Sequence, residues 1–396
     1  MEFQYSDRVT NMKPSIIRAL LKQMANSELI SFAGGNPAAD AFPVEEIRRI
    51  SDELLRDDPV ATLQYSITEG YTPLRQAGEA YLNATWPVKK EGDELIITSG
   101  SQQIMDFLVK LLCNEGDVVA TEDPAFLGAL NSFRSFGVNL VGVPMEADGV
   151  NLARLEQVFG QKPKPKFFYT IPNFQNPTGI TTSADKRRGI YQLAVKYGVL
   201  VLEDNPYGEL RISGQELAPI KALDTEGVVV YAASLSKILA PGMRVAFCAG
   251  PEELVNKLVV AKQTNDVHTN VWAQRVCERF LTTCDMQAHI QRLRGIYRAK
   301  ANQMLSEIER LMPGKLRYVT PEGGMFLWPS LPQGVNTPEF VQKCLDEKLA
   351  VVPGSAFFVN DAAPCQSIRL NFSTPTPAQI EKGVAIMAKV LGQMQA

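Results

Sequence analysis

Val199-Leu200-Val201-Leu202-Glu203-Asp204-Asn205-Pro206-Tyr207 is an apolar run that stops at two carboxylates and a turn. Four aliphatic residues in succession suit a strand buried on both faces, and Asn205-Pro206 is a turn signal. A carboxylate at such a strand end must find a partner, because burying it unpaired is expensive. Six more short apolar runs resemble this one: Leu95-Ile96-Ile97-Thr98, Val118-Val119-Ala120, Leu140-Val141-Gly142-Val143, Phe167-Phe168-Tyr169-Thr170, Val228-Val229-Val230-Tyr231 and Val245-Ala246-Phe247-Cys248. Helical periodicity fills most of the intervals between them. This alternation predicts an α/β fold built on a mostly parallel, seven-stranded sheet covered on both faces.

Toward the amino end, residues 43–55 and about 72–84 read as helices around the exposed loop Gln64-Tyr65-Ser66-Ile67-Thr68-Glu69-Gly70. Residues 14–24 open with Pro14 and place Ile16, Ile17, Leu20, Leu21 and Met24 on one face, which predicts a short amphipathic helix. Ile30-Ser31-Phe32-Ala33-Gly34-Gly35-Asn36-Pro37 then reads as an extended piece ending in a glycine turn, where backbone can approach a ligand closely. Beyond residue 251 a helical stretch continues to 312, interrupted near 265–270 and near Cys284. Smaller elements follow: extended pieces at 316–319, 324–328, 350–352 and 367–372, and helices at about 338–347 and 377–391. They predict a second, smaller α+β domain.

With 396 residues and 45% hydrophobic content, the chain can bury the core of two domains. Forty basic residues against 43 acidic ones leave a formal charge of −3, which argues against nucleic acid or an anionic membrane as partner. No apolar stretch approaches the ~18 to 20 residues of a membrane span. The polar start, with Glu2 and Asp7, is wrong for a signal peptide, and the six scattered cysteines form no CxxC pair, so a reduced cytoplasmic setting is expected. His268 and His289 lack the neighbours of a metal site and read as structural or surface residues; no metal is expected.

Four small motifs follow the carboxyl ends of predicted strands, where open α/β sheets bind ligands. Thr98-Ser99-Gly100-Ser101-Gln102-Gln103 enters a helix whose first amides suit a phosphate, although Ser before a helix is also an ordinary cap. Asn176-Pro177-Thr178-Gly179 is a turn whose asparagine amide can donate to a phenolate oxygen. Asp204 is placed to pair with a protonated ring nitrogen. Ser234-Leu235-Ser236-Lys237-Ile238-Leu239-Ala240-Pro241-Gly242-Met243-Arg244 gathers two hydroxyls, a lysine and an arginine in one loop, which suits a phosphorylated aldehyde held by its phosphate and as a Schiff base.

In their order along nearly the whole chain, these motifs resemble the class I/II aminotransferases, pyridoxal-phosphate enzymes of fold type I. The glycine loop, Asn176-Pro177-Thr178-Gly179, Asp204 with Tyr207, the Lys237 loop and a carboxy-terminal arginine all keep the family's sequence. Phe32 to Pro37 and Ser99 to Gln103 are most similar to the branch holding 2-aminoadipate, kynurenine and aromatic aminotransferases. The resemblance implies that Lys237 holds the cofactor and shuttles the proton from the substrate Cα. It implies that Asp204 keeps the ring nitrogen protonated, that Asn176 and Tyr207 bind the ring's phenolic oxygen, and that Ser101, Gln102, Ser234, Ser236 and Arg244 hold the phosphate. Phe126 stands where the family usually has a stacked tyrosine, so stacking survives and the hydroxyl is lost.

The resemblance further implies a homodimer in which Tyr65 reaches the neighbouring subunit's phosphate; an ordinary buried tyrosine is the alternative. Arg369, in Ser367-Ile368-Arg369-Leu370-Asn371-Phe372, matches the arginine that clamps the substrate α-carboxylate, with an edge-strand charge as alternative. Gly35 and Asn176 fall beside the substrate. Arg18 corresponds to an arginine that some members use for acidic side chains; a solvated arginine on a surface helix is the alternative. Residues 1–42 are expected to form a lid segment packing with the small domain, 43–290 the large cofactor-binding domain and 291–396 the small domain. The expected reaction moves the amino group of an aromatic, acidic or aliphatic L-amino acid to a 2-oxo acid such as 2-oxoglutarate by a ping-pong cycle. A carbon-sulfur β-lyase is the nearest alternative on the same scaffold. A cofactor-binding transcription regulator is a second, opposed by the charge balance and by a pattern that begins near residue 15.

Overall fold

The computed structural model describes residues 3–10 and 29–395; the helix expected over 14–24, and Arg18 on it, lie outside the described residues. Strands form where the apolar runs stand. After β1 (Ile30–Ser31), one eight-stranded sheet takes β2 (Asp93–Thr98), β3 (Val118–Asp123), β4 (Asn139–Glu146), β5 (Gly149–Val150), β6 (Phe167–Thr170), β7 (Leu200–Asn205), β8 (Val229–Ser234) and β9 (Ala246–Pro251). The order is β2-β9-β8-β7-β6-β3-β4-β5. All seven expected strands are present. The eighth, β5, is two residues long and pairs antiparallel with the end of β4 at the sheet edge, too short to show a period in the sequence.

β4, β3, β6, β7 and β8 are parallel, while β9 runs antiparallel to both β8 and β2. Because both neighbours oppose β9, the carboxyl ends of β2, β3, β6, β7 and β8 meet at one edge, where an α/β sheet opens a ligand crevice. Alternation along the strands fills the two faces differently. Phe168, Val201 and Val229 turn to a core with Leu155, Phe159, Ile190 and Ala194 of the helices Leu152–Gly160 and Ala184–Tyr197. Phe167, Tyr169, Leu202 and Val230 join the other, larger core, which continues into the C-terminal helix through Ile380, Val384 and Met387. Each such side chain contributes about 1.5 to 3 kcal/mol on burial.

The long helical stretch divides where expected into Glu252–Gln263, Val271–Thr283 and Met286–Leu311. Asn270 and Asp285 cap the second and third by accepting from the amides of Ala273 and Ala288. Beyond them, β10 (Phe326–Leu327), β11 (Leu349–Ala350), β12 (Val352–Pro353) and β13 (Ile368–Asn371) are short. β13 lies between β10 and β12, antiparallel to both, and β1 pairs in parallel with β11. Residues 316–319 do not form the expected strand. Leu316 is buried and Tyr318 half-buried against the core, but the ladder shrinks to one bridge, Arg317 with Ser330, because pairing requires a partner segment that follows the run for only one residue.

Candidate active site

A cleft of about 900 Å³ opens at the carboxyl ends of the strands. Gly35, Ser101, Gln102, Phe126, Asn176, Asp204, Tyr207, Ser234, Ser236, Lys237, Arg244 and Arg369 all line it. Among the expected site residues in the described chain, Tyr65 alone does not.

β7 explains the choice between its two terminal carboxylates. Neighbouring strand residues point to opposite faces, so Glu203 and Asp204 part company. Glu203 turns to the far side and accepts the backbone amides of Ile220 (2.9 Å) and Lys221 (2.7 Å), a structural satisfaction. Asp204 turns to the cleft, where Tyr169 Oη donates to its Oδ2 at 2.9 Å and its buried Oδ1 has no partner. Burial pushes the Asp204 carboxyl up to about 7, against the Tyr169 hydrogen bond and the positive charge of Lys237. Lys237 follows the end of β8, and its Nζ donates to the Gly35 carbonyl at 2.8 Å. Burial first, then repulsion from Arg244 and Arg369, lowers that amine to about 8, so a useful fraction is neutral and nucleophilic near physiological pH.

Asn176, 3% exposed in the turn after β6, faces two partners. Its Oδ1 accepts from Arg369 Nη1 at 3.0 Å and its Nδ2 donates to Tyr207 Oη at 3.4 Å. Arg369 is not an edge-strand charge: it stands on the central strand of its sheet and is 2% exposed. Its Nη2 donates to the carbonyls of Ala33 (2.6 Å) and Gly34 (3.3 Å). The guanidinium lies between the rings of Phe326 and Phe357, 4.4 and 4.8 Å from their centroids, and its Nε has no partner. Burial lowers it to about 10, still cationic at neutral pH. Among the described residues no carboxylate pairs with it, so a buried guanidinium without a counter-charge stands in the cleft wall, suited to an anionic ligand.

The opposite end of the cleft is built from helix-entry geometry. Gly100, at φ +86°, starts the helix Ser101–Leu112, and a Cβ there would collide with the Arg244 guanidinium. Arg244, itself at φ +55°, crosses the loop and donates to the Ser99 carbonyl at 3.3 Å. First-turn amides, the helix dipole, Ser234, Ser236 and this exposed arginine converge on a place suited to a dianion. Tyr65 is 82% exposed, edge-on to the His268 ring at 5.6 Å, which excludes the ordinary buried tyrosine. His289 is structural: its Nε2 lies 2.6 Å from the carbonyl of Ile238, next to the lysine.

Several participants escaped the sequence reading. Tyr169 sits in a run that reads as plain core, although a buried phenol needs an acceptor and the unpartnered Asp204 was the obvious one. Phe326 and Phe357 stack on Arg369 from segments far apart in sequence. Behind the anion end, the fully buried Lys262 Nζ contacts Asp266 (2.8 Å), Gln103 (3.0 Å) and Thr269 (3.0 Å), while Ser99 Oγ donates to Asp266 at 2.6 Å. An i,i+4 lysine-aspartate pair beside Leu258 and Val259 was the available signal.

A dianion cradle, a lysine with lowered pKa and a buried carboxyl oxygen without a partner fit pyridoxal 5′-phosphate, whose phosphate, aldehyde and ring nitrogen call for groups of these kinds. Fold and cleft thus define a pyridoxal-phosphate enzyme of fold type I. Residues 27–386 match the family described as Aminotransferase class I and II, and the chain belongs to that family. It is 37% identical over 394 residues to an aromatic-amino-acid aminotransferase of Thermococcus litoralis, covering 98% of this chain and 94% of the relative. It is 38% identical over 383 residues to a 2-aminoadipate transaminase of Thermus thermophilus, covering 96% and 94%. Among solved structures, a kynurenine aminotransferase of Pyrococcus horikoshii in complex with PMP superposes with a TM-score of 0.94 at 36% identity, covering 98% of this chain and 97% of that one. The protein is a pyridoxal-phosphate-dependent aminotransferase.

Proposed function

We propose that this enzyme moves the amino group of an aromatic, 2-aminoadipate-like or aliphatic L-amino acid to a 2-oxo acid such as 2-oxoglutarate, by a ping-pong cycle. The observation that carries the reading is the one cleft lined by Lys237, by Asp204 with its unpartnered oxygen and by the buried cation of Arg369. The relatives named for aromatic amino acids, 2-aminoadipate and kynurenine support the range of substrates. Bound here, pyridoxal phosphate supplies the electron sink for the pair released at the substrate Cα.

Arg369 binds the substrate α-carboxylate with its guanidinium, held flat by Phe326 and Phe357. Lys237 Nζ would take the proton from Cα and deliver it to the cofactor's C4′ carbon, and its lowered basicity suits both directions. Asp204, fixed from behind by Tyr169, would accept the ring N–H. Asn176 and Tyr207 would hold the ring's phenolic oxygen, Gly35 would approach the substrate with its backbone, and Phe126 would cover the ring. Ser101, Gln102, Ser234, Ser236 and Arg244 would hold the phosphate. Arg18 would read acidic side chains.

The working form is a homodimer in which Tyr65 completes the neighbour's phosphate site. Val60, Leu63, Tyr65 and Ile67, each at least half exposed within one stretch of eight residues, support an apolar face awaiting a second copy. Residues 1–42 serve as the lid segment, 43–290 as the cofactor-binding domain and 291–396 as the small domain; the pairing of β1 with β11 supports the first assignment. Six unpaired cysteines support a reducing, cytoplasmic setting. A panel of amino donors on cofactor-loaded enzyme, with and without 2-oxoglutarate, tests the reading. Acceptor-dependent 2-oxo acid from the donor is expected. Pyruvate and ammonia from cysteine-type donors without an acceptor would overturn it in favour of a lyase.

A further inference from the structure

Gln175 is fully buried, and every hydrogen-bonding valence of its side chain is engaged. Its Nε2 donates to Glu122 Oε2 at 3.0 Å and to the Pro124 carbonyl at 2.8 Å. Its Oε1 accepts from the amide (2.9 Å) and hydroxyl (2.7 Å) of Thr178. The main chain adds two more bonds, from Gln175 N to the Ile180 carbonyl (2.9 Å) and from Gly179 N to the Gln175 carbonyl (2.6 Å). Glu122, also fully buried, anchors the arrangement at the end of β3, accepting from Thr170 Oγ1 (2.5 Å) and the Ile171 amide (3.2 Å) as well.

A saturated network of this kind has one low-energy arrangement, since moving any member strands a buried donor or acceptor. It grips the turn immediately beside Asn176, whose amide touches both Arg369 and Tyr207. Through Pro124 it also reaches the segment that carries Phe126. Neither Glu122 nor Gln175 lines the cleft.

We propose that Gln175, clamped by Glu122, is a positioning residue that sets the Asn176 amide toward the ring's phenolic oxygen and toward the arginine receiving the substrate carboxylate. The inference rests on the roles given above to Asn176 and Arg369. Displacement of a reacting group by about 1 Å can cost on the order of 100-fold, which bounds the effect.

A double-mutant cycle tests it, using Gln175→Ala, Asn176→Ala and the pair in the cofactor-loaded enzyme. Gln175→Ala should lower kcat/KM by about 10- to 100-fold. It should also shift the pH midpoint of the bound cofactor's visible absorbance in the same direction as Asn176→Ala. In the Asn176→Ala background the second substitution should cost less than about 2-fold, because its target is gone. If Gln175→Ala does not fold, Glu122→Ala enters the same cycle. A melting temperature that falls while kcat/KM and the spectrum hold, or losses that multiply in the double variant, would overturn the proposal. Asn176→Ala with unchanged kcat/KM and spectrum would instead remove the role of Asn176 on which it rests.

Discussion

At the ring end of the cleft, Asp204, Asn176 and Arg369 are each at most 3% exposed, whereas at the phosphate end Arg244 stays exposed and Tyr65 is 82% exposed. The ring end is held by side chains from β6, β7 and β13 that bond to one another and to backbone, and its groups carry shifted pKa values because burial raises the cost of charge. The phosphate end relies on backbone amides and charge close to solvent, where a dianion needs no deep burial to be held. The first end is built from groups buried within this chain. In the proposed dimer, a second copy would close the other.

The sharpest test of that contrast is Lys237→Ala, which removes the amine proposed to serve the reacting carbon. Transamination should fall by at least about 10⁴-fold, the upper range for a positioned general acid-base, and borohydride should no longer fix the cofactor at this position. Label trapped at another lysine would break the assignment. Asp204→Ala comes next, with kcat lower by about 10²- to 10³-fold, as for loss of one preorganised electrostatic partner, and little change in phosphate affinity. Equal losses at both ends would mean that the two are not separable.

Arg369→Lys keeps the charge but loses the planar fork held between two rings. KM for the amino acid should rise by about 10- to 100-fold with a smaller change in kcat, read from steady-state kinetics. Tyr65→Phe should have the smallest effect, weakening cofactor affinity by about 10-fold, the worth of one hydrogen bond to a charged group, as measured by equilibrium dialysis. Mixing Tyr65→Ala with Lys237→Ala subunits should restore part of the activity lost in the first, because one mixed site then carries both residues. No recovery after proven subunit exchange would refute the sharing.

The buried carboxyl also leaves a signature in the cofactor-free protein. Folded Asp204 keeps its proton up to about pH 7, while the same carboxyl in the unfolded chain releases it near 3.8, so the folded state binds more protons between those values. This group's stabilising contribution is present at acid pH and is lost as pH rises toward 7, and Glu122, raised to about 7 by burial, adds to the trend. In Asp204→Asn the melting temperature should vary less with pH between about 4 and 7; an unchanged profile would contradict the assignment.

The seven strands were legible because aliphatic runs such as Val199 to Leu202 mark a two-sided burial that needs no knowledge of the neighbours. The breaks near residue 265 and Cys284 were legible for a similar local reason, since Asn270 and Asp285 are caps. The strand expected at 316–319 failed because pairing depends on a partner face the local sequence does not contain. Lys237, Asn176 and Asp204 stood out through residue type and order along the chain. Their fixing partners, Tyr169, Phe326, Phe357, Glu122 and Gln175, did not, as each reads as ordinary core until the fold brings it near.

By itself, then, the sequence determined the α/β class, the approximate elements and the set of groups able to do amino-transfer chemistry. The tertiary structure decided which of the adjacent Glu203 and Asp204 faces the cleft, that Arg369 lies buried between two rings, and that the Asn176 turn is gripped from behind. The reason is one of range. Periodicity and turn chemistry are set by residues a few positions apart, whereas burial, hydrogen-bond satisfaction and pKa depend on segments such as 30–36, 176 and 369, which only folding brings together.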